Sequence, residues 1–423
     1  MILKTFGHLF LNNYQLSASL AKVTIDVIAE TSIRTTLIMP QISFGSRVRK
    51  SPYFSSTQKW GCKAYSVYNH TYMPLYYDSA EADYNALIND VSLWDVACER
   101  QVEVTGPDAF AFTQYLTPRN LSKQQVGQAK YVPLVDENGG IINDPVLLRL
   151  ETKRFWFSIA DNDVLLWAKG VANHAGFDVN VQELDVAPLQ VQGPKASLLM
   201  QKLCGDWILD LKYFWFKSAE INGIKFILSR TGWSNERGYE LFLIDTSRGD
   251  ELWELIMSAG REFNIKPGAP SHIKRMEAGL LSYWNDMDIT NNPFEVGLGK
   301  FCDTNQEANF VGKDALTKIQ SEGVRRKIMG AEIDGIPIGV NEHHWPVSAL
   351  ENVATPKLES DISNVPVGKL TSCVYSSSLG KNIAYIMVPV EYAEIGQKLC
   401  VQSPCGPLVA TLCTLPFVKN KAV

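Results

Sequence analysis

The sequence predicts an α+β fold that ends in an antiparallel β-barrel, and three features lead there. Strand-length apolar runs are interspersed with helices and hairpins and do not alternate strictly with helices, which favours helices packed on antiparallel sheets over a doubly wound fold. A strand, Gly-Pro, helix unit occurs twice, as RQVEVTGPDAFAFTQYL and APLQVQGPKASLLMQKL, and reads as an internal duplication. Beyond about Phe310 helices thin out and short apolar runs alternate with Gly and Pro, the texture of a sheet or barrel of roughly six strands.

In chain order, DSAEADYNALINDVSLWDV predicts a helix: Ala82, Leu87, Ile88, Val91 and Trp94 fall near helical spacing behind an N-cap at Asp78 or Ser79. RQVEVTG alternates Val102 and Val104 with polar neighbours, so it is a strand, and Gly106-Pro107 ends it and opens a helix. KYVPLVD, GGIINDPVLLRL and RFWFSIA are strands, followed by the helix DNDVLLWAKGVANHAG. The second copy supplies a strand and a helix, and IKFILSRTGWSNERGYELFLI is a hairpin about a polar loop. HIKRMEAGLL is helical. Barrel strands lie in KIMGAEIDG, PVGKLTSCVYS, NIAYIMVP, QKLCVQ and LVATLCTLPFV, with ENVATPKLESDISNVP a loop.

At 423 residues the chain has the length of two or three domains, and 46% apolar with 20% charged residues marks it as globular. No apolar run reaches the roughly 18 residues that a spanning helix needs, and no membrane partner is expected. A net charge of -5 argues against nucleic acid as the main partner. The eight cysteines are dispersed without a CxxC pair, the pattern of reduced thiols in a cytoplasmic protein. The start differs in texture. MILKTFGHLFLNNYQLSASLAK lacks a continuous apolar core and a small-residue cleavage site, and Asp26 and Glu30 weaken a transit-peptide reading. With an ordinary start available at Met39, residues 1–38 read as a dispensable extension or a mis-assigned start, and 1–47 are expected to be a poorly ordered extension.

No GxGxxG behind a strand, GxxxxGK[ST], HExxH or GxSxG occurs, so nicotinamide, P-loop and serine-hydrolase readings have no support. His343 and His344 are adjacent and would point to opposite faces of a strand, and no metal site is expected. Aromatic residues in NHTYMPLYY, KYVP, RTGWSNERGYE and LLSYWNDMD sit where elements end, beside turns and charged groups, where binding surfaces are built. They nominate Tyr72, Tyr131, Trp233, Tyr239, Tyr283 and Trp284. Glu240 in the strand GYELFL and Arg275 in the helix HIKRMEAGLL interrupt apolar company. Each is either a solvated or salt-bridged residue or a binding group, the carboxylate for a donor-rich heterocycle and the guanidinium for a carboxylate. Spacing alone leaves both readings open.

Taken together, VTGPDA, QAKYVPLVDENGGIINDPVLL, VQGPK, RTGWSNERGYE and KRMEAGLLSYWNDMD resemble the tetrahydrofolate-dependent aminomethyltransferase family typified by the glycine-cleavage T-protein. The resemblance spans roughly Ser51 to Phe417. It implies a three-domain fold, with two α+β folate-binding subdomains in 48–310, a C-terminal antiparallel barrel in 311–423 and folate in a central channel. NHTYMP, WDVACERQVEV, LTPRNLSK, FSIADNDVLLWAKG and NPFEVGLGKF look more like the family's dimethylsulfoniopropionate demethylase branch than like the T-protein. That branch implies transfer of a sulfonium methyl group to N5 of tetrahydrofolate, giving methylthiopropionate and 5-methyltetrahydrofolate, without a lipoyl carrier protein.

The same resemblance assigns roles. Glu240 is similar to the family's pterin-gripping glutamate, Tyr131 to its pocket tyrosine and Arg275 to an arginine of the folate site, with Tyr283 counted among the cofactor residues. T-proteins draw a catalytic aspartate from the first Asp of G-G-I-x-D-D; Asn143 stands there, and Asp144 is expected on the opposite side of the strand, pointing away. An amide that positions suits a sulfonium donor, which already has a positive leaving group. Asn143, Trp233 and Tyr239 are therefore the expected catalytic set, the two aromatic faces each offering the cation roughly 0.5 to 2 kcal/mol. Trp284 replaces a usual glycine and is expected, with Tyr72, at the substrate pocket, where its indole could change which donor fits. The rival readings are an aminomethyltransferase, a folate-linked demethylase of a methylamine or methoxy compound, and a folate-binding relative whose donor site Trp284 blocks.

Overall fold

Two sheets and one closed barrel carry the chain in a computed structural model that describes residues 44–350 and 362–419. The expectations for the leader up to residue 43 and for most of the ENVATPKLESDISNVP loop lie outside the described residues. The first sheet runs Asn180–Leu184, Gln101–Thr105, Arg154–Ser158, Val146–Glu151, Ala129–Tyr131. The second runs Phe216–Ile221, Ile224–Ser229, Gly238–Leu243, Ala187–Gln192, Ser92–Asp95, Lys266–Gly268, antiparallel except for its last pair.

The two sheets repeat one plan. In each a strand ends at a glycine in the left-handed region, Gly106 at φ 128° or Gly193 at φ 126°, and a proline leads into a helix, Ala109–Tyr115 or Ala196–Cys204. Glycine is required by close approach as well as by φ. A Cβ at Gly106 would stand 2.7 Å from the Asp178 carbonyl oxygen, and one at Gly193 would stand 2.6 Å from that of Asp90. Those two carbonyls also accept matching backbone bonds, from Asp108 N and Lys195 N.

The repeat hides an exchange. Ser92–Asp95 leads directly into the first copy yet pairs with Ala187–Gln192 of the second, while Asn180–Leu184 leads into the second copy yet pairs with Gln101–Thr105 of the first. Each half thus supplies an outer neighbour to the other half's sheet. This also corrects the helix expected through Trp94. Ser79 caps it, its Oγ accepting from Ala82 N at 3.1 Å, but it ends at Asn89. Ser92–Asp95 is a strand with all its residues buried. A strand covered on both faces is apolar without period-2 alternation, so periodicity cannot separate it from a helix end.

The barrel closes in the order Arg326–Ile333, Lys381–Pro389, Ile362–Ser376, Trp345–Leu350, Lys398–Ser403, Gly406–Cys413, the last pairing with the first. Ala331, Val347, Leu370, Ile386, Leu399 and Leu412 are among the apolar residues of its core. The short helix His272–Ala278 is fastened to it: Tyr385 Oη, from a barrel strand, donates toward the carbonyls of Arg275 and Met276 at 3.1 and 3.0 Å. From Arg47 onward these elements form one compact unit. No described helix is long and apolar enough to cross a membrane, and none of the eight cysteines is in a disulfide.

Candidate functional site

The DENGG turn exists to set one short strand. Asp136 Oδ1 accepts from Asn138 N at 2.9 Å and Gly140 N at 2.7 Å, while a Cβ on Gly140 would lie 2.3 Å from the Ile289 carbonyl oxygen. Only glycine lets Ile141–Asn143 approach so closely; Ile141 N then donates to Asn291 O at 2.9 Å.

Asn143 is fully buried, and both ends of its amide are in use. Nδ2 donates to Ala160 O at 3.0 Å, and Oδ1 accepts from Ala160 N at 2.9 Å and from Asp144 N at 3.0 Å. The side chain pairs with the backbone of residue 160 as a neighbouring strand would. Ala160 O also accepts from Asn69 Nδ2 at 2.9 Å, at the tip of the hairpin Ala64–Tyr68/Thr71–Tyr76, whose Asn69-His70 turn has φ 47° and 56°. Asn143 is therefore a clamp that needs a donor and an acceptor together. The sequence reading placed it in the catalytic set; here its amide is engaged with the backbone.

Asp144 holds the position expected of its neighbour. The two residues do face opposite ways, but it is Asp144 that meets the other ionisable groups. The register Tyr131↔Val146 brings the pocket tyrosine alongside, and Tyr131 Oη donates to Asp144 Oδ2 at 2.7 Å. Oδ1 is buried and has no hydrogen-bond partner. Burial pushes the Asp144 pKa up to about 7. Burial and then Asp144 push up the Tyr68 hydroxyl, next to the hairpin tip. Burial, then the carboxyls of Glu240 and Asp144, raise Glu99 well above the usual carboxylate range. Three carboxyls and two tyrosines thus act on one another, and among the described residues none of the three carboxyls is in an ion pair. An uncompensated acidic cluster of this kind is a place for a cation or a ring rich in N–H donors.

Glu240 closes the other side. Gln190 faces it across the sheet and donates from Nε2 to Oε1 at 2.7 Å; Thr231 Oγ1 donates to Oε2. Burial still raises its pKa. Gln190 Oε1, like Asp144 Oδ1, is buried without a donor.

The remaining expected residues take other places. Tyr239 is fully buried in the core beneath the second sheet, its hydroxyl 3.0 Å from Ser197 Oγ, because strand neighbours alternate faces and Glu240 takes the other one. Arg275 is 1% exposed and is consumed by Asp286 at 2.7 Å, Ser372 Oγ at 2.9 Å and Glu342, tying its helix to the barrel. It is not a free guanidinium for folate. Trp233 stands beside it, the guanidinium 5.8 Å from the ring centroid, so the protein's own cation takes an aromatic face assigned to the sulfonium. Tyr283 supports the site from behind, its hydroxyl donating to Ile141 O at 2.8 Å. Tyr72 packs in an aromatic cluster with Phe54 and Tyr65, centroids 5.9 and 6.5 Å away. Trp284 is 53% exposed at φ 70°, so its indole lies largely on the surface, and a glycine would suit that backbone.

The sequence reading turned Asp144 away from the site and did not name Glu99 or Tyr68. The signals were present: Asp144 precedes a proline, which holds it extended, and Asn-His between alternating runs is a hairpin tip that can carry Tyr68 inward.

Residues 53–306 match the family model of the GCVT N-terminal domain, and residues 326–419 match that of the glycine cleavage T-protein C-terminal barrel domain. The chain is 38% identical over 368 residues to the dimethylsulfoniopropionate demethylase of Ruegeria pomeroyi, covering 87% of this chain and 97% of that protein. It is 31% identical over 380 residues to an aminomethyltransferase of Caldanaerobacter subterraneus subsp. tengcongensis, covering 88% and 96%. The crystal structure of the glycine cleavage system aminomethyltransferase T from Bartonella henselae shares the fold, with a TM-score of 0.76 at 23% identity over 88% of this chain and 99% of that one.

Proposed function

The chain belongs to the glycine-cleavage T-protein family of folate-dependent transferases, and on that premise we propose that it demethylates dimethylsulfoniopropionate with tetrahydrofolate as methyl acceptor. The observation that carries the reading is the cluster of Asp144, Glu99 and Glu240 with Tyr68 and Tyr131, which is acidic and buried and whose carboxyls are, among the described residues, in no ion pair. A sulfonium neutralises it, and tyrosine faces hold such a cation. The greater identity to the demethylase than to the aminomethyltransferase supports the same choice.

Folate fits the residues present. Gln190 Oε1 is buried without a donor, which the N–H-rich edge of a pterin would supply, and Glu240 beside it is already oriented by Gln190 and Thr231. When bound, tetrahydrofolate supplies the N5 lone pair that takes the methyl group as the S–C electron pair returns to sulfur. Glu240 and Gln190 hold the ring, and Tyr131 orients Asp144. Asp144, near neutral in pKa, receives at Oδ1 the proton released in the transfer. Orientation of acceptor against donor is the main contribution asked of the protein.

The aminomethyltransferase reading keeps one specific support, because Asp144 presents a carboxyl after all. The indole-blocked reading loses its basis in the exposure of Trp284. The two enzyme readings separate on purified protein given tetrahydrofolate and dimethylsulfoniopropionate. Methylthiopropionate is expected; its absence despite folate binding sinks the demethylase reading, and ammonia release that depends on a lipoyl carrier would favour the second.

A further inference from the structure

We propose that Arg119 binds the carboxylate of the methyl donor. This rests on the demethylase reading, whose substrate has a carboxylate at one end and a sulfonium at the other. The guanidinium donates from one amino group to the Tyr131 carbonyl oxygen and lies 4.9 Å over the Phe301 ring, which Tyr131 meets edge-on at 5.1 Å. Burial is what shifts its pKa, downward, and among the described residues it is in no ion pair. Burial and then Arg119 lower the pKa of Lys130, so two positive groups stand here, neither of them in an ion pair among the described residues.

The loop around Arg119 is built, not loose. Gln114, 5% exposed, donates from Nε2 to Thr117 O at 3.3 Å and Arg119 O at 3.0 Å, and its Oε1 accepts from Leu121 N at 2.8 Å. Thr117, fully buried, donates from Oγ1 to Pro133 O at 2.7 Å and accepts from Arg119 N at 3.2 Å. Two buried polar side chains fix the backbone of one arginine, the mark of a preorganised binding group.

One residue then sets the spacing. Tyr131 carries Arg119 on its backbone carbonyl and Asp144 on its hydroxyl, so a positive and a negative group are held one tyrosine apart. Two methylenes separate the charges of the donor, so its two ends need partners on one short stretch of the protein, which Tyr131 connects. A zwitterion with its carboxylate at Arg119 would have its sulfonium end toward the Tyr131–Asp144 pair. The other source of a carboxylate is the glutamate of folate, and the experiment distinguishes the two.

Arg119→Met should raise KM for dimethylsulfoniopropionate about 10- to 100-fold and leave kcat within a few-fold, as expected for loss of a charge-assisted pair. Arg119→Lys, which keeps charge and stem but not the fork, should raise it less, with both variants melting like the parent. Trimethylsulfonium, which has no carboxylate, should not distinguish parent from variants. Tetrahydrofolate and tetrahydropteroate, which lacks the glutamate, should bind all three proteins alike. An equal loss with both sulfonium compounds overturns the proposal, as does a loss confined to tetrahydrofolate. If the parent turns over neither donor, calorimetry decides. A preference for dimethylsulfoniopropionate over trimethylsulfonium that vanishes in Arg119→Met upholds the subsite while the proposed reaction fails; no preference in the parent overturns the subsite.

Discussion

The two sheets share a strand, a left-handed glycine, a proline and a helix, yet they present their carboxyls in different states. Glu240, on the second, has a fixed donor at each oxygen. Asp144, on the segment entering the first, has one donor, one empty buried oxygen and a pKa near neutral. The two scaffolds are alike, and in the proposed reading the unsatisfied atom separates a residue that grips from one that can exchange a proton.

Substitution should break this contrast most sharply in turnover. Asp144→Asn is expected to lower kcat about 100- to 1000-fold, the worth of a positioned base, with folate affinity little changed. The parent's rate should rise with pH through about 7 as Asp144 loses its proton, and the variant's profile should be flat there. Glu240→Gln should do the reverse, weakening tetrahydrofolate binding about 10- to 100-fold in a fluorescence titration with kcat nearly kept. If the two variants exchange phenotypes, the division of labour is wrong.

The likeness of the halves is tested by their glycines. Gly106→Ala and Gly193→Ala should each cost about 2 to 4 kcal/mol in urea unfolding, because a Cβ meets an immobile carbonyl in both and φ is left-handed. Comparable losses support equivalent junctions; a silent substitution in either would show that half to be slack.

Smaller effects sharpen the reading of the strand between them. Asn143→Asp should cost about 1 to 3 kcal/mol, since a carboxylate has no hydrogen to give Ala160 O and repels it, and should gain no aminomethyl activity. Undiminished stability would mean that the clamp is not needed. Trp284→Gly should stabilise by up to about 1 kcal/mol through relief of its positive φ, and leave turnover unchanged. A fall in turnover would return Trp284 to the substrate site.

Residues 101–105 and 187–192, each running into Gly-Pro and a helix, were legible because alternation, a breaker and a helix start are local signals. Five of the six barrel strands were legible for the same reason; Trp345–Leu350 was not, and the strand Ile362–Ser376 begins inside the stretch read as a loop. Glu240 and Tyr131 were assigned to the site through the resemblance of their motifs, and both adjoin Asp144 or Glu99. Arg275 was an ambiguous buried cation in sequence. Its engagement with Asp286 and Ser372 arises between residues 11 and 97 positions away, which no local pattern encodes.

By itself the sequence determined the α+β class, the repeated unit, the barrel and the fact that residues 143 and 144 must face opposite ways. Period two gives that opposition from backbone geometry alone. It does not say which face is the site. That depended on Tyr131 arriving by strand register, on Ala160 taking up the Asn143 amide, and on Glu99 and Glu240 converging from different segments. The same limit applies to Tyr239 and Glu240, adjacent on one strand, of which only the glutamate joins the cluster. Tertiary structure also decided the exchange of leading strands, because a strand takes the partner that covers its apolar faces and satisfies its backbone, wherever in the chain that partner lies.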